Sequence, residues 1–247
     1  MRNLAAVFAV AAFAGISRAT PIPILNYSFE SPSAATPFGV STAIDNWTTY
    51  GDVPFDTGGG AQSSGTGIFP NKNPDNTFNF TNADQKQLAY IFTRSSIATN
   101  RDGLEQVLSD KYVAGQSYTL SVDVGLAGAN PDATDPFSFS LFYFDPANPT
   151  ARTVVASRTI FNDANTALSK TLLTTVSFST PLLSADALAI GKEIGVEIYT
   201  AQGSDVTATA GNEYDFDNVR LNQTPEPASL GMLSGAALLF LRRRRIG

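Results

Sequence analysis

The chain has 247 residues, a formal net charge of −6, and neither cysteine nor histidine. Those two absences exclude disulfides, thiol catalysis, Ser-His-Asp catalysis and the common zinc sites. Residues 20–224 carry 10 basic and 21 acidic side chains, a net charge of −11, which excludes the basic footprint that nucleic-acid binding requires.

The first 19 residues are typical of a secretory signal peptide. Arg2 supplies the positive charge, and the apolar residues 4–16 that follow are too few for a relaxed membrane span. Ser17-Arg18-Ala19 places small residues at the −3 and −1 positions of a cleavage site. We therefore predict a signal helix over residues 1–19 and an exported mature protein, with an uncleaved anchor as the alternative.

Strand patterns dominate residues 20–224. In the stretch after Ser117, Tyr118, Leu120 and Val122 alternate with polar residues, as in a half-buried strand. Residues 51–77 are rich in Gly, Asn, Asp and Pro and predict a long surface loop. Nine such strands with turn-rich joints predict one all-β domain, a β-sandwich of the jelly-roll type. The predicted strands cover residues 21–30, 86–93, 104–109, 117–126, 136–145, 151–161, 171–180, 192–200 and 213–222.

Three short motifs in this domain resemble those of a known class of protein modules. It opens with LNYSFESP, contains DNWT at 45–48 and ends with FDNVRL. The order resembles carbohydrate-binding modules of the galactose-binding-like jelly-roll type. That resemblance implies a polysaccharide ligand and a structural Ca²⁺ between the first and last strands. Glu30 and Asp217 would then be the carboxylate ligands, with backbone oxygens completing the shell; the alternative is that both are solvated or salt-bridged.

The last predicted strand also changes register. Tyr214 and Phe216 share one parity, whereas Val219 and Leu221 share the other. The apolar face therefore shifts by one residue across Asp217-Asn218, which predicts a β-bulge.

Three aromatic residues are candidates for ligand contacts. Trp47 would stack on a sugar ring if exposed, but a lone tryptophan beside strand residues is more often part of a core. Tyr50 and Phe55 lie next to or within the Gly-rich loop. They would form an aromatic binding surface or hold the loop in place.

An enzyme without histidine or cysteine would depend on paired carboxylates. A glycosidase needs them about 5–10 Å apart, and Glu193 and Glu197 would lie about 13 Å apart on a strand. Asp215 and Asp217, about 6.6 Å apart by the same rise, are close enough, but a metal or edge role is simpler for them. We therefore predict no catalytic residue.

The C-terminal segment, residues 225–247, has three parts in order. They are Pro225-Glu226-Pro227, the apolar residues Ala228–Leu241, and a cluster made of Arg242, Arg243, Arg244 and Arg245. Fourteen helical residues cover about 21 Å, less than a hydrocarbon core of about 30 Å, and the arginines stop translocation. The segment resembles the PEP-CTERM sorting signal, with an ordinary tail anchor as the alternative.

The PEP-CTERM resemblance implies recognition by an exosortase, a transient transmembrane helix, and release to the surface or extracellular matrix of a Gram-negative bacterium. Together these features predict a non-catalytic surface or matrix protein that binds polysaccharide. Two alternatives stand beside this prediction. One is a secreted glycosidase or lyase acting on exopolysaccharide, and the other is a purely structural matrix protein.

Overall fold

A computed structural model describes residues 18–34, 43–51, 65–71, 79–93, 102–127, 136–200 and 212–226. These ranges form eleven β-strands, and they contain no helix with the length and apolar character needed to cross a membrane. The strands are β1 Thr20–Ile22, β2 Thr48–Tyr50, β3 Gly65–Pro70, β4 Gln87–Thr93, β5 Asp102–Lys111, β6 Gln116–Ala127, β7 Phe137–Asp145, β8 Asn148–Ile160, β9 Thr174–Ser179, β10 Glu193–Thr200 and β11 Asn212–Pro225.

The strands form two antiparallel sheets. Sheet 1 has the order β3-β4-β11-β6-β9, with β1 also paired to β11, and sheet 2 has the order β2-β5-β10-β7-β8. The two sheets pack face to face, so the predicted all-β sandwich is confirmed. The helices were predicted over residues 1–19 and 228–241. All of these lie outside the described residues except 18 and 19, which are in neither a helix nor a strand.

The main core lies between the sheets and is strongly aromatic. The ring of Phe137 on β7 lies 5.0 Å from that of Tyr214 and 5.2 Å from that of Phe216, both on β11. These contacts join sheet 2 to sheet 1. Because successive strand residues point to opposite faces, they also fix which β11 residues face away from the core.

The predicted bulge in β11 is confirmed. Asp217 pairs with Asp123 on β6, whereas Arg220 pairs with Ser121, so β11 contains one extra residue between the two pairs. Asn218 takes a positive φ of 53° at this point. The bulge keeps the residues before and after it, including Val219, in the core although their parity differs.

Two predicted elements differ from the structure. The first strand ends at Ile22, and residues 25–28 form a turn in which Asn26 has a φ of 49°. Inside the predicted loop 51–77, residues Gly65–Pro70 form β3, which pairs in register with β4. Glycine weakens strand propensity in isolation, but an exposed edge of a neighbouring strand supplies the missing hydrogen bonds.

Candidate active site

The outer face of sheet 1 carries a line of acidic side chains. Glu213, Asp215 and Asp217 alternate along β11 with residues that face the core, so they point to the opposite side of the sheet. In the middle of this line, Asp215 pairs with Tyr90 on β4 and with Gly125 on β6.

This outer face is covered by two segments of the chain. Asn71, after β3, donates its side-chain amide to Phe80 O at 2.9 Å and accepts from Phe80 N at 2.9 Å. Asn82 makes the same pair of bonds with Leu173, at 2.9 and 2.8 Å. These two asparagines hold segments 79–86 and 169–173 over the sheet. They enclose a second apolar cluster, separate from the main core, made of Phe69, Phe80, Leu88, Tyr90 and Leu173.

Asp215 lies inside this covered region. Its exposed fraction is 0%, and among the described residues neither carboxyl oxygen has a hydrogen-bond partner. Burial, together with the negative charge of Glu213, holds the pKa of the Asp215 carboxyl well above its ordinary value. A buried carboxyl in apolar surroundings keeps its proton, because ionisation without water or a donor is costly. Asp215 is therefore a neutral carboxylic acid whose O–H group donates no hydrogen bond within the described residues.

Two neighbours of Asp215 also have raised pKa values. Burial raises the pKa of the half-buried Glu213 to about 7. Burial, with a smaller contribution from the charge of Glu213, also raises the pKa of Tyr90, so the phenol keeps its proton. The Tyr90 hydroxyl likewise has no hydrogen-bond partner in the part of the chain that the structure describes. Buried O–H groups without a hydrogen-bond partner are uncommon in folded proteins, and they single out Asp215 and Tyr90 as the candidate functional pair.

Asp217 differs from Asp215 although it is equally buried. Its carboxylate accepts the backbone N–H of Asp84 at 2.6 Å and that of Asn218 at 2.7 Å. Burial raises the pKa of Asp217 to about 8, and these two bonds oppose the rise. With both oxygens occupied by N–H groups, Asp217 is a structural anchor for the covering segment.

The two expected Ca²⁺ ligands lie near one another in the fold. Glu30 accepts the backbone N–H groups of Lys86 and Gln87 at 2.7 and 2.8 Å, so it holds the same covering segment that Asp217 anchors. Each Asp217 oxygen accepts one backbone N–H group, and the Ca²⁺ role expected for Glu30 and Asp217 stays a prediction. Among the described residues no group of three or more acidic side chains could hold a metal ion.

The candidate ligand-binding aromatics are not brought together with Asp215. Trp47 is 7% exposed and packs in the main core at 5.3 Å from the ring of Phe29, so the core alternative is correct. Tyr50 lies on sheet 2, where its hydroxyl donates to the buried Glu197. Phe55 lies outside the described residues.

A family model that matches most of the chain shows the protein family to which it belongs. A family model described as HpiC1-like, "HpiC1 cyclase", matches residues 20–222. The chain belongs to this cyclase family. The HpiC1-like match covers the sandwich except for the last three residues of β11, and it includes the whole covered acid site. A comparison with curated proteins finds no match.

Solved structures of cyclases share the fold of this HpiC1-like protein. The Stig cyclase Fisc from Fischerella sp. TAU, in complex with (3Z)-3-(1-methyl-2-pyrrolidinylidene)-3H-indole, is 24% identical with a TM-score of 0.64; the match covers 85% of this chain and 100% of that chain. A cyclase from the same organism in complex with 4-(1H-indol-3-yl)butan-2-one is 23% identical, with a TM-score of 0.61 and coverage of 84% and 98%.

The family overturns several predictions made from the sequence. The expected non-catalytic surface or matrix protein is wrong, since the family is one of cyclases. The identification through PEP-CTERM and polysaccharide-binding modules is wrong for the same reason, as are both alternatives. A CBM4 structure does match, at 18% identity, a TM-score of 0.42 and coverage of 83% and 100%, which carries no argument about a ligand. The motifs around Glu30 and Asp217 belong to the sandwich fold itself, in which Asp217 lies on the central strand of sheet 1, and a fold of this kind hosts unrelated functions.

Sequence reasoning considered Asp215 and set it aside. Acidic residues at alternate positions of a strand are what a solvent-facing side of a sheet normally shows. The contrary signal is on the partner strand, where the outward positions Leu88 and Tyr90 are apolar or aromatic. An outward face that is acidic on one strand and apolar on its neighbour indicates a covered face.

Proposed function

We propose that this protein catalyses the acid-initiated cyclisation of a 3-substituted indole, with Asp215 as the proton donor. The observation that carries the proposal is the fully buried Asp215 carboxyl, unpartnered within the described residues, beside Tyr90 under an apolar cover. Membership of the cyclase family supports the reaction type, and the indoles bound by the two Fischerella cyclases support the substrate class.

The proposed reaction needs only a proton and an alkene on the substrate. Asp215 transfers its proton to the ring nitrogen of a 3H-indole, which makes the adjacent C2 electrophilic. The π electrons of a side-chain alkene form the new C–C bond to C2 while the C2=N π bond breaks and its electron pair moves to the ring nitrogen. The resulting carbocation loses one proton to the Asp215 carboxylate, so the product is an isomer of the substrate and the acid is regenerated. A positioned acid of this kind contributes about 10²–10⁴-fold to a rate.

The surroundings of Asp215 suit each part of this reaction. Phe69, Phe80, Leu88 and Leu173 form an apolar enclosure around the acid. Side chains of this kind favour a planar apolar ring and keep water from a cation. The Tyr90 hydroxyl, on the same face and paired with Asp215, orients the substrate by donating a hydrogen bond.

We expect the purified full-length protein to convert a 3H-indole bearing an alkenyl group at C3 into a cyclic isomer of the same mass. The reason is that the protein surrounds a neutral carboxylic acid with apolar side chains, whereas buffer acids act only through water. Liquid chromatography with mass detection measures the product, and the same protein inactivated by heat is the control. A rate equal to that in buffer, together with no calorimetric binding of 4-(1H-indol-3-yl)butan-2-one, would contradict the proposal.

We further propose that Ca²⁺ binds with Glu30 as its side-chain ligand and carbonyl oxygens as the remainder, the donor set this ion favours. Glu30 is half-buried at the turn that follows β1 and already orders the segment at Lys86. We expect 5 mM CaCl2 to raise the Tm above its value in EDTA, by several degrees, and Glu30→Gln to abolish the increase. The exposed Glu193→Gln is the matched control. An unchanged Tm of the unsubstituted protein would contradict this proposal.

A further inference from the structure

We infer that Phe80 determines how large a substituent the indole can carry next to Asp215. The ring of Phe80 lies directly over Gly125, which is the β6 neighbour of Asp215. A Cβ at Gly125 would lie 2.3 and 2.6 Å from the Phe80 ring carbons Cε1 and Cζ, and 3.0 Å from Leu173. The aromatic ring thus fills the space that a β6 side chain would occupy beside Asp215, and we assign it as the wall of the proposed substrate site on that side.

The wall is rigid because its backbone is held from both sides. The Asn71 side chain binds both Phe80 N and Phe80 O, and Asn71 N in turn donates to Lys86 O at 2.7 Å. Next to Phe80, Thr81 N donates to Thr171 O at 3.0 Å. The ring is 2% exposed, so the side chains packed around it restrain its rotamer while the hydrogen bonds fix its backbone. Its position, and therefore the depth of the pocket beside the acid, is set by the fold.

A fixed ring excludes substrates by their shape. This inference rests on the proposed function, and it identifies the residue that limits the size of the indole's substituent. Removing the ring leaves an apolar space of the order that binds benzene, about 150 Å³. Size discrimination by an apolar pocket typically amounts to about 10–200-fold. Phe80 is a specificity-determining residue and takes no part in proton transfer.

The test compares two ligands that differ by one phenyl ring, 4-(1H-indol-3-yl)butan-2-one and 4-(1H-indol-3-yl)-1-phenylbutan-2-one. Their affinities are measured by calorimetry for the full chain and for Phe80→Ala. We expect the unsubstituted protein to prefer the smaller ligand, and the ratio of the two affinities to shift at least tenfold towards the larger one in Phe80→Ala.

Two glycine substitutions extend the test, one beside Phe80 and a matched control on sheet 2. Gly125→Ala forces the Phe80 ring away from β6 into the pocket, so we expect about tenfold weaker binding of the smaller ligand, restored in Gly125→Ala/Phe80→Ala. Gly195→Ala introduces the same crowding on sheet 2, where its Cβ would lie 2.4 Å from Phe142 Cζ. We expect that variant to bind like the unsubstituted protein.

The outcomes separate this inference from the proposed function. Circular dichroism checks that Phe80→Ala and the unsubstituted protein are both folded. If the two then show the same ligand preference, the role of Phe80 is overturned while the cyclase proposal stays intact. Equal effects of Gly125→Ala and Gly195→Ala overturn it as well. Failure of the unsubstituted protein to bind either ligand contradicts the proposed function, and the inference with it.

Discussion

Replacing Asp215 by asparagine is expected to lower the cyclisation rate by about 10²–10⁴-fold. Asparagine has nearly the same shape as the neutral carboxyl but cannot donate an acidic proton. Since Asp215 has no hydrogen-bond partner among the described residues, the substitution removes no structural bond. We therefore expect 4-(1H-indol-3-yl)butan-2-one to bind Asp215→Asn with little change in affinity, so that the loss lies in kcat, measured by steady-state kinetics.

The same substitution has a stability signature that depends on pH. The pKa of Asp215 in the folded state lies above its value of about 3.9 in an unfolded chain. Below that value both states hold the proton; above it the unfolded state releases the proton first, so the free energy of unfolding falls as pH rises towards the folded pKa. Asp215→Asn does not titrate and should lose less stability between pH 4 and pH 8.

Asp217→Asn is the control on the same strand and face. Above its pKa of about 8, Asp217 is a carboxylate that accepts two backbone N–H groups, whereas an asparagine amide would turn an N–H group towards one of them. Leaving such a buried donor unsatisfied costs about 1–3 kcal/mol. We expect this variant to lose stability and to retain more activity than Asp215→Asn. Full activity in Asp215→Asn would show that the proton comes from another group.

Arg152→Met is expected to lower the free energy of unfolding by about 3 kcal/mol. Arg152 crosses the outer face of sheet 2, where its Nε lies 2.5 Å from Glu105 Oε2 and 3.4 Å from Glu197 Oε1. Its guanidinium carbon also lies 4.5 Å from the centre of the Tyr50 ring. Glu197 is 0% exposed and is the direct cross-strand neighbour of Glu105. Without the arginine, two adjacent carboxylates remain, one of them fully buried.

The magnitude follows from the penalty for an uncompensated buried charge. Removing one partner of a buried ion pair costs about 3–5 kcal/mol, and the lower end applies because Arg152 keeps 26% of its side chain exposed. Hydrogen bonds to Glu197 from Ser140, at 2.9 Å, and from Tyr50 remain. Urea unfolding monitored by circular dichroism measures the loss.

Two further variants check the interpretation. Arg158→Met removes an exposed arginine of the same strand, which donates to Ser177 O at 2.6 Å, and should cost less than about 1 kcal/mol. Adding Glu197→Leu to Arg152→Met should recover part of the loss, because the buried charge is then absent. A loss below 1 kcal/mol for Arg152→Met would mean that the network contributes little to stability.

The sequence alone predicted the strands in which apolar and polar residues alternate regularly. The period-two pattern around Tyr118 and Leu120 predicted β6, and the change of parity between Phe216 and Val219 predicted the bulge in β11. Both depend on local chain geometry, because a residue's face follows from its position along the strand. β3 was not predicted, since its glycine-rich sequence has no pattern of its own and its pairing with β4 supplies the structure.

The chemistry of the site depended on contacts between distant segments. By itself, the sequence determined an all-β sandwich without thiol or imidazole chemistry, and acids at the alternate positions 213, 215 and 217 of the last strand. Whether Asp215 meets water or an apolar enclosure was decided by Asn71 and Asn82, which hold residues far apart in the chain over sheet 1. Burial is a property of the assembled structure, and burial is what turns an ordinary surface carboxylate into a protonated acid.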